Sequence, residues 1–165
     1  MGAPLVLGFD TSAAHCAAAL LCGDTLLEAR AEEMSRGQAE RLVPLLEELL
    51  TGQGAAWSDL ARIGVGTGPG NFTGIRIAVA TARGLSLGLR VPAIGVTSFE
   101  AVHLEAPGAT AAVPATRGRV YLSRADSAPE LVEEAAAPPD LAWRPGPAEL
   151  AARIARLAAS GTPGA

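Results

Sequence analysis

The groups best suited to chemistry lie in two short stretches. The first is Asp10-Thr11-Ser12, a carboxylate and two hydroxyls that close the apolar run Pro4–Phe9. A carboxylate at a strand end can hold a metal–phosphate complex, or it can cap a turn through Thr11 and Ser12. The second is Gly66-Thr67-Gly68-Pro69-Gly70-Asn71-Phe72-Thr73-Gly74-Ile75-Arg76. Its glycines permit positive φ and close approach of another group. The amides of a helix starting behind it can face an anion. Asp10, Thr11, Ser12, Gly68, Pro69, Gly70, Asn71, Phe72, Thr73, Gly74 and Arg76 are therefore candidates for a nucleotide or anion loop. The stretch lacks both the Gly-Lys-Ser/Thr ending of a P-loop and the Gly-x-Gly-x-x-Gly spacing. A phosphate loop and a structural strand-to-helix turn both fit it.

No other catalytic constellation is visible. His15 and His103 have no Cys, His or acid at ligand spacing, which argues against a metal site. Neither adjoins a nucleophile motif, so no Ser-His-Asp set can be assembled. No catalytic residue and no metal ligand is assigned. Cys16 and Cys22 fall six apart in one predicted strand. At ~3.3 Å per residue that is about 20 Å, too far for a disulfide. They read as small buried hydrophobes.

The elements that must position these residues follow from composition and period. The chain has 165 residues, room for one domain or two small lobes. Hydrophobic residues make up 49%, but 35 are Ala and 21 Leu, and aromatics are 4%, so the core is aliphatic and finely packed. There are 13 Arg and no Lys, and the net charge of −4 excludes a strongly basic nucleic-acid binder. Charge is uneven: residues 1–60 carry −6, residues 61–124 carry +5 and the remainder −3. The first basic residue is Arg30, and the longest uncharged runs are 13 residues, short of the ~20 that a spanning helix needs. The expectation is a soluble cytoplasmic chain.

Patterning predicts strands over 4–10, 15–22 and 25–31, then a helix over 36–51 with Ser35 as N-cap and a bend at Pro44. A short helical turn at Ser58–Leu60, a strand over 63–66, a helix over 73–89, a strand over 91–96 and a helix over 99–105 capped by Ser98 follow. A hairpin pairs 110–115 with 119–124. After Asp126 only 147–159 keeps a helical period. This order describes an α/β lobe with a mixed sheet.

The helix over 73–89 is apolar nearly all round, with Arg76 and Arg83 its only charges. One face carries Ile75, Ala78, Val79, Ala82 and Leu89. The other carries Ile77, Ala80, Thr81, Gly84 and Gly88. Such a helix must be covered on two sides. The Ala80/Gly84/Gly88 ridge reads either as a docking surface for a second polypeptide or as a face sealed by the first helix and the C-terminal tail.

Four motifs carry a family resemblance: Gly8-Phe9-Asp10-Thr11-Ser12, Gln38-Ala39-Glu40-Arg41-Leu42-Val43-Pro44, the glycine stretch through Ile77, and Ala93-Ile94-Gly95-Val96-Thr97-Ser98. Over about residues 4–105 the chain resembles the TsaB (YeaZ) family, glycoprotease-like proteins also labelled peptidase family M22. The resemblance implies the actin/Hsp70/sugar-kinase (ASKHA, ribonuclease H-like) α/β fold. Its mixed five-stranded sheet, in the order β-β-β-α-β-α-β, would occupy residues 1–97, and residues 98–165 would form a shortened second lobe.

The same resemblance implies a non-catalytic scaffold subunit in tRNA N6-threonylcarbamoyladenosine modification. Such a subunit dimerises with the metal-bearing TsaD paralogue and supports turnover coupled to the TsaE ATPase. The implied interface falls on Gln38, Arg41, Leu42, Leu45, Leu49, Ile77, Ala80, Thr81, Gly84 and Gly88, with a homodimer through the same helices when the partner is absent. The chain would meet tRNA only indirectly and would touch no membrane. It would carry no cofactor of its own, with ATP or ADP bound weakly or at the complex interface. The chain departs from the pattern at Gln38-Ala39-Glu40, where relatives often have His-Thr-Gln, and at Pro114-Ala115-Thr116, where they often have Asp-Ala-Arg. The alternative is a stand-alone ATP-dependent phosphotransferase or ATPase using Asp10 and the Gly68–Gly74 loop.

Overall fold

The computed structural model describes residues 2–163. Three strands come first: β1 (Leu5–Asp10), β2 (His15–Cys22) and β3 (Thr25–Glu33). They form an antiparallel meander, with Asp10 opposite Ala17 and Cys22 opposite Thr25. After helix α1 (Gln38–Gly52), strand β4 (Leu60–Gly66) pairs parallel to β1. Helix α2 (Phe72–Leu89) then leads to β5 (Ala93–Val96), parallel to β4. The sheet order is β3-β2-β1-β4-β5, the mixed five-stranded sheet that the sequence predicts.

The period-2 alternation of β1 and β2 divides the core between the two faces of this sheet. Leu7, Phe9, Cys16, Ala18 and Leu20 pack with the five buried leucines of α1 and with Ala78 and Ala82 of α2. Val6, Ala17, Ala19 and Leu21 face the other way, onto helix α4 (Pro147–Ser160). Helix α4 lies so close that a Cβ on Gly8 would stand 2.7 Å from Ala151 O and Ala155 N, and one on Gly64 2.9 Å from Ile154 O. Glycine at these two strand positions is what admits the helix. The last helix of the chain thus packs on the first sheet.

Helix α3 (Ser98–Glu105) connects to a second sheet of β6 (Thr110–Pro114), β7 (Arg119–Ser123), β8 (Glu130–Glu133) and β9 (Leu141–Trp143), in the order β8-β7-β6-β9. The β6–β7 hairpin matches expectation, while β8 and β9 do not appear in the sequence pattern. β8 is four residues with a Glu at each end, and β9 only three. Both are edge strands, too short to show a period.

Two caps also differ from expectation. Helix α1 starts at Gln38 because Gly37 adopts φ 93° at its N-cap; Ser35 caps nothing. Helix α3 is capped by Thr97, whose Oγ1 accepts from Glu100 N at 3.0 Å while Thr97 N donates to the Glu100 carboxylate at 2.6 Å. This reciprocal box places the helix start one residue before the one that Ser98 implied. Among the described residues no helix is long and apolar enough to cross a membrane.

Candidate functional site

The parallel β1–β4 pair brings the two chemical stretches together. Asp10, Thr11 and Ser12 are fully buried. Asp10 Oδ2 accepts from Ser12 N at 3.1 Å and Ser12 Oγ at 2.8 Å, and lies 2.7 Å from His15 Nε2. His15 is therefore not isolated, as its sequence neighbours suggest. The tight β1–β2 turn folds it back onto the carboxylate, a pairing visible only once the hairpin is drawn. Asp10 Oδ1 has no hydrogen-bond partner among the described residues. It sits over Gly66, where a Cβ would overlap it.

The rest of the glycine loop is used in the same way. A Cβ on Gly70 would overlap Ser12 O, and one on Gly74 would overlap Thr11 O. Asn71 N donates to Ser12 O at 2.7 Å, and Thr11 Oγ1 donates to Gly74 O at 2.5 Å. Gly68 adopts φ 85° before Pro69, and its carbonyl accepts from Ser98 N at 2.8 Å. Asn71 caps α2 by accepting from Gly74 N at 2.9 Å. The loop thus braces the end of β1. Asp10 faces this brace. Arg76 turns away, its guanidinium 5.2 Å from the centre of the exposed Phe72 ring. Among the described residues no group of three or more His, Cys, Asp or Glu side chains could hold a metal ion.

A cleft of about 360 Å³ opens between the two sheets. Its walls include Ser12, Asn71, Pro114, Thr116, Tyr121 and Arg144. Of the candidate loop residues only Ser12, Gly70 and Asn71 reach it. Tyr121 and Arg144 carry no motif, and sequence reasoning missed them. The one available signal was Pro114-Ala115-Thr116, singled out in the sequence, which forms part of the wall.

The second candidate region is the outside of α1 and α2. Here the structure corrects part of the expected interface. Leu42, Leu45 and Leu49 are completely buried against the sheet, together with Leu46 and Leu50. They hold α1 in place and offer no surface. Arg41 is tied to Glu32 at 2.7 Å and, through two nitrogens, to Glu48 at 2.8 Å. Gln38 Nε2 donates to Met34 O at 3.1 Å, and Ile77 is partly buried against the core. Thr81 Oγ1 donates to Ile77 O at 2.8 Å. Ala80, Gly84 and Gly88 are exposed, and a Cβ on either glycine would meet nothing within 4 Å. Neither α1 nor α4 seals this ridge. At the two ends of α2, Phe72 is 71% and Leu87 83% exposed.

The two-sheet arrangement, with β1 braced by its glycine loop, defines an α/β protein built on a mixed five-stranded sheet. Solved structures share it. YeaZ from Pseudomonas aeruginosa superposes with a TM-score of 0.74 at 26% identity, over 95% of this chain and 92% of that one. Another, described as an uncharacterized protein with similarity to peptidase YeaZ from the same organism, gives 0.76 at 25% over 97% and 94%. A family model described as TsaD, tRNA N6-adenosine threonylcarbamoyltransferase, matches residues 30–143. The tRNA threonylcarbamoyladenosine biosynthesis protein TsaB of Escherichia coli K12 is 36% identical over 122 residues, 70% of this chain and 52% of that protein. Its counterpart in Bacillus subtilis is 35% identical over 95 residues, 58% and 42%. The chain spans about half the length of the curated relatives it matches. It belongs to the threonylcarbamoyltransferase-related family that this model describes, on its TsaB (YeaZ) branch.

Proposed function

We propose that this chain is a non-catalytic cytoplasmic subunit in tRNA threonylcarbamoyladenosine biosynthesis, docking a TsaD-type partner through the outer face of α2. The names of its relatives support the pathway. The observation that carries the docking is the open Ala80/Gly84/Gly88 ridge. Small residues at i, i+4 and i+8 form a groove into which a second helix can lower its side chains. Arg76 and Arg83 border the ridge beside Ile75 and Val79, so an apolar helix with flanking acids is the complementary surface. Coupling to TsaE acts through that complex, and nucleotide enters only there. In the absence of the partner, the same ridge pairs two copies of this chain.

Gly84→Leu tests the reading. A Cβ there meets nothing within 4 Å and the position is exposed, so the free chain is expected to stay folded while the groove is filled. Co-purification with the TsaD-type protein is expected to be lost, and the circular dichroism spectrum to be unchanged. Retained capture would overturn the assignment.

A further inference from the structure

The cleft between the sheets presents a cation that the docking surface does not use. We propose that this cleft binds a small organic oxyanion, a carboxylate or phosphate monoester, gripped by the Arg144 guanidinium.

Arg144 follows β9, and its backbone N donates to Ala112 O at 2.8 Å, which fixes where the side chain starts. Its guanidinium makes no hydrogen bond or ion pair with any described residue, unlike Arg30, Arg41 and Arg153, which all pair with glutamates. Burial disfavours its charge, and Asp10 partly restores it. Asp10 is no direct partner: its Oδ2 is taken by Ser12 and His15, its Oδ1 makes no hydrogen bond to the guanidinium or to any other described group, and it lines no part of the cleft. A half-buried guanidinium without a carboxylate is costly unless something else supplies the anion.

The rest of the wall selects the same class. No acid lines the cleft. Asn71 Oδ1 is occupied by Gly74 N, which leaves its amide NH₂ to donate. Thr116 and Tyr121 add hydroxyls, while Ala13 and Pro114 supply apolar wall. Three neutral donors around one guanidinium suit an oxyanion. The volume of about 360 Å³ suits a compact one with a small apolar body.

Phenyl phosphate and benzoate are the probes, titrated into the full chain at constant ionic strength and followed by amide NMR shifts. Saturable binding in the millimolar range or tighter is expected, with the largest shifts at Asn71, Thr116 and Tyr121. The tighter probe identifies phosphate or carboxylate as the preferred group. Arg144→Gln should weaken it about tenfold or more, the value of a charge-assisted pair. Arg144→Lys, which keeps the charge and loses the fork, should weaken it less. Arg90→Gln, an exposed cation outside the cleft, should change nothing. The proposal is overturned if neither probe saturates, if Arg144→Gln binds as tightly as the parent, or if Arg90→Gln weakens binding equally. Should Arg144→Gln fail to fold, Arg144→Lys decides: binding as tight as the parent, or shifts centred away from the cleft, overturns the proposal.

Discussion

Helices α4 and α2 lie on opposite faces of the five-stranded sheet, and both meet their surroundings through alanine and glycine. At α4 the small residues are matched. Gly8 and Gly64 on the strands face Ala151, Ala155, Ala158 and Ile154 on the helix, with no room for a methyl between. At the outer face of α2 the same residue types face nothing: Gly84 and Gly88 have open space where a side chain would be. Small residues permit close approach in both places. Only at α4 does this chain supply the approaching element. Glycine inside a helix costs about 1 kcal/mol against alanine, and at Gly84 no contact within the chain offsets it.

The contrast is broken most forcefully at the matched face. Gly8→Val places its side chain against backbone atoms of α4, which cannot rotate aside as a side-chain tip can. Overpacking ordinarily costs about 1–3 kcal/mol; against fixed backbone we expect about 3 kcal/mol or more, read as a fall in the urea midpoint. An unchanged midpoint would show that α4 does not lie this close. Gly84→Ala, at the unmatched face, should shift stability the other way, by about 1 kcal/mol, read as a higher thermal midpoint. The gain holds only for a monomer. If two copies pair through this ridge, it shrinks as protein concentration rises, so a dilution series sharpens the comparison.

Legibility differs between these regions in a way that packing explains. The succession of elements in the first sheet was readable because most of its strands and helices carry a clear apolar pattern. The α2 ridge was readable because an all-round apolar helix is self-contradictory in water. What α4 does was not readable. Its stripe of Leu150, Ile154 and alanines shows a helix with one apolar face, but its target is set by glycines 90 and more residues away. The leucines of α1 misled for the converse reason, since a stripe suited to a partner equally suits the sheet beneath it. The Asp10–His15 pair and the Arg144 cleft depend on a turn and on a three-residue edge strand, both without a periodic signature.

Cys16 tests how dry the core under α1 is. Burial foremost, then the nearby charge of Glu32, pushes its thiol from 9.0 up to about 11. The native state therefore keeps a proton that the unfolded chain has lost between about pH 9 and 11. Folding stability should fall as pH rises through that window, and Cys16→Ala should lose this part of the slope in urea titrations. At pH 8 an alkylating agent should modify the half-exposed Cys22 and spare Cys16. Equal labelling would mean that α1 opens readily.

The smallest effect belongs to Arg41. Its hydrogen bonds hold the Glu32 and Glu48 carboxyls below their usual range, and Glu28 is lowered likewise by Gln53 and Arg30. A depressed carboxylate adds stability above its unfolded value, and that contribution is lost as pH falls through the folded one. Arg41→Gln should therefore lower stability slightly at pH 7, with the difference from the parent vanishing as the solution is acidified below about pH 4. These are solvent-exposed pairs, whose contribution is small and screened by salt. The more telling readout is partner capture. Arg41 already has both of its acids within this chain, so its removal should leave capture unchanged where Gly84→Leu abolishes it. A loss as complete as that of Gly84→Leu would move the docking surface from the open ridge of α2 to the charged flank of α1.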